Sequence, residues 1–211
     1  MDKFVLAITR SCGSGGTSIA KIFADEFGIA VYDRELLRIA SLDSGINEQL
    51  FAEADERIRN SLLYRVSKKV YQKSYQGELI SPESSDFTSN DNLFNYQAKV
   101  LCELAEKESF VVIGRAADYV LKDHPNLCSV FLYASDETCI AHEAEWLGVS
   151  ENKALKYIRK MNKYRSEYYT YYTGKTWENA QNFDMSIDTG KLGHKKTVEL
   201  IKSYMVLRGM L

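Results

Sequence analysis

The most constraining stretch of the chain lies near its start: an apolar run, a turn crowded with small residues, then an amphipathic helix. The run is FVLAITR (4–10) and the turn is SCGSGGTS (11–18). Ile19, Ile22, Phe23 and Phe27 follow at helical spacing, and Gly28 supplies a stop. A nearly continuous apolar strand suits burial on both faces, inside a parallel sheet. Four more β-rich segments follow: IAVYD (29–33), FVVIGR (110–115), SVFLYAS (129–135) and FDMSIDT (183–189). Helical stripes separate them, with Phe94, Ala98, Leu101 and Leu104 within 93–108, and Val198, Ile201 and Met205 within 194–207. This alternation predicts an open α/β sheet with right-handed crossovers.

Two stretches break the alternation. Residues 41–92 are polar, with a predicted helix near 53–72 and a disordered-looking SPESSDFTSNDN (81–92). Residues 136–172 are charged, rich in tyrosine and helical in pattern. Both read as insertions above the sheet of a single domain, since 211 residues with prolines only at Pro82 and Pro125 leave no proline-rich linker. With a net charge of −2, no global field draws the chain to a nucleic acid polymer or an anionic membrane. No apolar run approaches the roughly 18 residues that span a bilayer, and no signal peptide is evident, so a cytoplasmic location is expected. Cys12, Cys102, Cys128 and Cys139 form no paired motif, which argues against a zinc site or a disulfide framework. Cys12 reads as a small loop residue or, alternatively, a nucleophile.

The turn at 11–18 has the architecture of a phosphate-binding loop. Gly13, Gly15 and Gly16, with Ser14 between them, let backbone N–H groups turn inward. Thr17 and Ser18 open the helix, where free N–H groups and the dipole favour an anion. A hydroxyl of Thr17 or Ser18 suits Mg²⁺. Against the pattern G-x-x-x-x-G-K-S/T the match is partial: Arg10 stands at the first glycine and Gly16 at the lysine. A ligand-free strand–helix turn and a phosphate nest without its mobile cation both remain open. In open α/β sheets ligands bind beyond the carboxyl ends of the strands. The glycine loop, Asp33 and Gly114–Arg115 all fall at such ends.

Four motifs, at 8–37, VVIGRAADYVL (111–121), YYTYYTGKTW (168–177) and FDMSIDTGKLG (183–193), resemble the cytidylate kinase-like family, a nucleoside monophosphate kinase branch of the P-loop NTPases. The resemblance runs along nearly the whole chain, and the branch commonly carries Gly-Ser-Gly-Gly in the loop. It implies a three-layer fold with a five-stranded parallel sheet flanked by helices. It also implies an acceptor-binding insertion at about 41–92 and a helical lid at about 136–172. The implied reaction moves the γ-phosphoryl group of ATP to a nucleoside monophosphate with Mg²⁺, CMP or dCMP being the favoured acceptor. Two other outcomes stay open: a catalytically weak nucleotide-binding protein acting through a partner, and a kinase for another small phosphorylated or hydroxyl acceptor. Assembly as a homo-oligomer is also left open.

The resemblance carries roles onto particular residues. Asp33 and Arg34 correspond to acceptor contacts, though Asp-Arg-Glu equally fits a helix N-cap. Arg115 would present a planar fork to the acceptor phosphate, with Asp118 one helical turn on. Where the family's first lid helix carries two arginines, this chain has Cys139 and His142. The second lid helix retains Arg159, Lys160, Lys163 and Arg165, of which Arg165 with Lys163 is the expected source of charge for the transferred group. The tyrosines at 168, 169, 171 and 172 suit helix packing, a dimer contact or stacking on a base. Asp188 fits a turn in which it bonds its own backbone.

Overall fold

The computed structural model describes residues 3–33, 35–51, 79–80, 84, 86 and 88–211. The candidate helix at 53–72 and Arg34 lie outside these. Five parallel strands form one sheet: β1 (Val5–Arg10), β2 (Ala30–Tyr32), β3 (Phe110–Ile113), β4 (Leu127–Tyr133) and β5 (Met185–Asp188). Their order is β2-β3-β1-β4-β5, so β1 is central and pairs with both β3 and β4.

The alternation of side chains along the central strands creates two cores. Val5, Ala7, Phe110 and Val112 point to one face, where they meet α2 (Glu35–Ser44) and α3 (Asn90–Lys107). Leu6, Ile8, Val111 and Ile113 point to the other face. There they meet α1 (Gly16–Phe27) through Ile19, Ala20 and Phe23, and α7 (Thr189–Leu207) through Val198, Ile201 and Met205. This is the expected three-layer arrangement, with strands buried on both sides because helices cover both.

A short helix α4 (Ala117–Val120) follows β3. Two more helices, α5 (Asp136–Leu147) and α6 (Glu151–Thr173), follow β4. Ser135 caps α5 by accepting from the Thr138 N–H, and left-handed Gly148 ends it. Two boundaries differ from expectation. Residues 90–92 belong to α3, because Ser89 caps that helix through the Asn92 N–H. The last helix begins at Thr189 and bends at Gly193 (φ 72°), its start fixed by the Asp188 carboxylate, which accepts from the N–H groups of Gly190 and Lys191. Among the described residues, no helix is long and apolar enough to cross a membrane.

The tyrosines of α6 pack the helix down. Tyr168 and Tyr169 join Phe94, Phe131, Trp177 and Phe183 in an aromatic cluster, and Tyr172 stacks on Phe94 at 3.9 Å. Tyr171 donates to Asp91, and Tyr172 to the Asn90 carbonyl.

Candidate active site

The carboxyl ends of β1, β2 and β3 open into a cavity of about 970 Å³, roofed by α5 and α6. Its floor is the glycine loop. Gly13 and Gly15 have φ values of 84° and 78°, a region that side-chain-bearing residues rarely enter. Gly15 is also the N-cap of α1, and no side chain caps that end. The first N–H groups of α1 have no intrahelical partners by geometry. Gly16, Thr17 and Ser18 line the cavity beside them, so an anion there meets N–H donors and the positive end of the helix dipole.

The loop carbonyls are held from outside. Thr189 Oγ1 donates to the Ser14 carbonyl at 2.8 Å, His142 Nδ1 lies 3.0 Å from the Gly13 carbonyl, and Arg165 donates to the Arg10 carbonyl at 3.2 Å. Asn162 Oδ1 accepts from the Cys12 N–H at 2.7 Å. The ring of His194 lies so close to Gly15 that a Cβ there would collide with it. Burial and the neighbouring His142 hold the His194 imidazole below its usual range.

Three guanidiniums meet above this floor. Arg10 and Arg115 flank Asp33, with closest N–O separations of 4.0 and 3.9 Å. Arg165 reaches in from α6. Burial, then the charge of Arg165, push Arg10 down to about 9, against the pull of Asp33, and Arg115 adds to the effect. Like charges gathered in a poorly hydrated place are costly without an anion among them. The backbone under Arg115 is strained as well. Gly114, Arg115 and Ala116 are consecutive left-handed residues, with φ of 71°, 61° and 50°. For the two non-glycine residues this costs on the order of 1 kcal/mol or more each.

Of the residues singled out from sequence, Arg10, Gly13, Gly15, Gly16, Thr17, Ser18, Asp33, Arg115 and Arg165 line the one cavity. Three go elsewhere. Ser14 is buried and donates to the Ser11 carbonyl, bracing the loop from inside. Lys163 points to solvent and pairs with Glu167, because it lies some 200° around the helix from Arg165. Lys160 lines the cavity instead. Asp118 is buried behind the cavity wall, where it accepts from the Tyr169 hydroxyl at 2.7 Å. Burial pushes its carboxyl up to about 6, against that hydrogen bond. Cys12 is buried, and burial pushes its thiol up to about 12, with Arg165 opposing and Glu143 adding to the effect, which disfavours the thiolate a nucleophile needs.

Sequence reasoning missed Asn162, Glu143, Tyr164 and the wall role of His194. The signal for Asn162 was present. Ile158, Met161, Asn162, Arg165 and Tyr169 share one face of α6 by helical spacing, and the apolar members mark it as inward.

The glycine loop after β1, the strand order and the flanking helices together define a P-loop kinase fold. The chain matches the description of the cytidylate kinase-like family over residues 5–191, and it belongs to that family. It is 30% identical over 145 residues to a cytidylate kinase of Thermosipho melanesiensis, a match covering 63% of this chain and 64% of that enzyme. A crystal structure of an uncharacterized protein from Eubacterium ventriosum is 26% identical, with TM-score 0.69 over 97% of this chain and 99% of the other. A gluconokinase from Sinorhizobium meliloti shares the fold at 14% identity, with TM-score 0.50 over 97% and 93%.

Proposed function

We propose that the cavity is the active site of a nucleoside monophosphate kinase that uses ATP and Mg²⁺, with CMP or dCMP as acceptor. The observation that carries this reading is the meeting of Arg10, Arg115 and Arg165 beside the uncapped start of α1. In this reading the backbone N–H groups of Gly13 to Ser18 hold the donor phosphates. Mg²⁺ typically keeps several waters and binds phosphate oxygens. The exposed hydroxyls of Thr17 and Ser18 fit it, and among the described residues no cluster of three or more acidic, histidine or cysteine ligands competes. Bound there, it would neutralise phosphate charge. Arg115, aimed by its left-handed backbone, grips the acceptor phosphate, and Asp33 orients it. On this reading Arg34, next in sequence, and the insertion beginning at about residue 41 would complete the acceptor site. Residues 136–172 act as the lid, with Arg165 its cation. Catalysis then consists of holding two nucleotides in line and stabilising charge on the moving group. In this reading the ligands are free nucleotides and the protein works in the cytoplasm, without a nucleic acid polymer or membrane as partner.

A second reading, a nucleotide binder with little turnover, draws on α5. Cys139 there is buried and His142 is spent on the Gly13 carbonyl, so neither brings a permanent cation. A coupled ADP-release assay with MgATP across nucleoside monophosphates separates the two. ADP formation with CMP or dCMP supports the kinase. Tight ATP binding with no turnover on any acceptor supports the second reading. Turnover only on a non-nucleotide hydroxyl acceptor moves the activity to another substrate class.

A further inference from the structure

The chain departs from the phosphate-loop pattern twice, at Arg10 and at Gly16, and the geometry makes these a single exchange. A Cβ at position 16 would lie 2.8 Å from Arg10 Cγ and 2.9 Å from Arg10 Cβ. Any side chain there would have to push the arginine stem aside. A Cβ on Gly114 would lie 2.6 Å from Arg10 Nη1. The arginine therefore leaves the end of β1, crosses over Gly16, and lays its guanidinium against the backbone at the end of β3. That position lies between the donor loop on one side and Asp33 and Arg115 on the other. On the kinase reading of the cavity, a group passing from donor to acceptor would travel through this position.

We propose that Arg10 supplies from the end of β1 the cation that the usual lysine supplies from the start of the helix, contacting the donor phosphates at the transferred group, and that Gly16 is glycine to let it through. This rests on the reading of the cavity as a nucleotide kinase site. Arg10 is well placed for the task. Its carbonyl is tied to Arg165 and its strand is central, so the stem starts from a fixed point. Its Nε is buried with no hydrogen-bond partner among the described residues. Asp33 at 4.0 Å is a distant counter-charge. A guanidinium can also bridge two phosphate oxygens with a planar fork, where an ammonium acts as a point charge. Arg10 stays protonated throughout and acts only by charge and hydrogen bonding.

Calorimetric titration of MgATP, MgADP and CMP into the native chain and its variants tests this. Arg10→Gln is expected to weaken ATP binding about 10- to 100-fold, ADP less, and CMP titrated alone by less than about threefold. Gly16→Ala, which keeps the arginine but displaces it, should weaken ATP in the same order. The double variant Arg10→Gly with Gly16→Lys should recover part of the ATP affinity lost in Arg10→Gln. If Arg10→Gln does not fold, Gly16→Ala and the double variant carry the same contrast. Unchanged ATP affinity in Arg10→Gln and Gly16→Ala overturns the proposal, as does a loss that falls on CMP and not on ATP. Selective loss of ATP in a chain that turns over no acceptor leaves Arg10's assignment standing and sinks the kinase reading alone. No binding of ATP or tripolyphosphate to the native chain overturns both.

Discussion

The sheet edge and the α5–α6 pair face each other across the cavity, and they are built from different materials. The edge is rigid. Its strands are aliphatic and buried on both sides, and its turns are locked by left-handed residues at 13, 15 and 114–116. The helical pair rests on an aromatic cluster and on single polar contacts from His142, Asn162 and Arg165 to the loop backbone. Charge comes from both. Arg10 and Arg115 spring from strand ends, while the helical pair adds Lys160 and Arg165. The lesson is that the two guanidiniums flanking Asp33 start from strand ends, whose positions are fixed by sheet pairing. Such preorganisation is what makes electrostatic stabilisation effective.

Removing one residue from each side should separate the two regions most strongly. Arg115→Ala is expected to lower acceptor kcat/KM by about 10²- to 10³-fold. His142→Ala, which deletes one exposed hydrogen bond, is expected to stay within about threefold. Steady-state kinetics with varied CMP reads both, and a reversal of their order would place the working charge on the helices.

The next largest effect concerns the wall between the two regions. The Asp118 carboxyl is raised in the folded state from 3.8 to about 6. The native state therefore holds the proton more tightly than the unfolded chain, and stability falls as pH rises from about 4 through 6. Asp118→Asn keeps an acceptor for the Tyr169 hydroxyl and removes the buried charge. It is expected to stabilise the protein at pH 8 by up to about 3 kcal/mol and to flatten the stability profile between pH 4 and 6. Urea unfolding at the two pH values checks this; an Asn variant less stable at pH 8 would count against it.

Two left-handed glycines at opposite ends of α1 separate strain from crowding. Gly28→Ala meets only strain, since nothing lies within 4 Å of its Cβ, and should cost about 1–2 kcal/mol. Gly15→Ala meets the same strain and His194 as well, and is expected to cost more. Equal losses by urea unfolding would mean that His194 yields freely. The smallest expected effect is at Cys12, whose buried thiol should resist iodoacetamide at pH 8 in the folded protein. Mass spectrometry reads the modified residue.

The strand-end region was also the legible one. Apolar runs and the glycine turn announced β1, the loop and α1, because strand burial and left-handed turns demand particular residue types. Arg10 and Arg115 could be read for the same reason, since a strand end fixes where a side chain begins. The helical pair was harder. Lys163 and Arg165 look alike as charges, and only the inward stripe of Ile158, Met161 and Tyr169 separates them. Asp118 misled because one helical turn past Arg115 suggests the same site, whereas left-handed Arg115 and Ala116 turn the chain and send its carboxylate behind the wall. Spacing alone puts Asn162 on the inward face of α6, but its bond to the Cys12 N–H and the packing of His194 against Gly15 join segments far apart in sequence and leave no local signature.

The account stands on one cavity holding a donor and an acceptor nucleotide at once, against a fixed set of strand-end cations. Binding of an analogue that joins adenosine to cytidine through five phosphates tests this directly. The analogue is expected to bind at least about 10²-fold tighter than ATP or CMP alone, because the second half binds as an intramolecular partner. An affinity no greater than that of ATP would mean that the two nucleotides do not share the cavity.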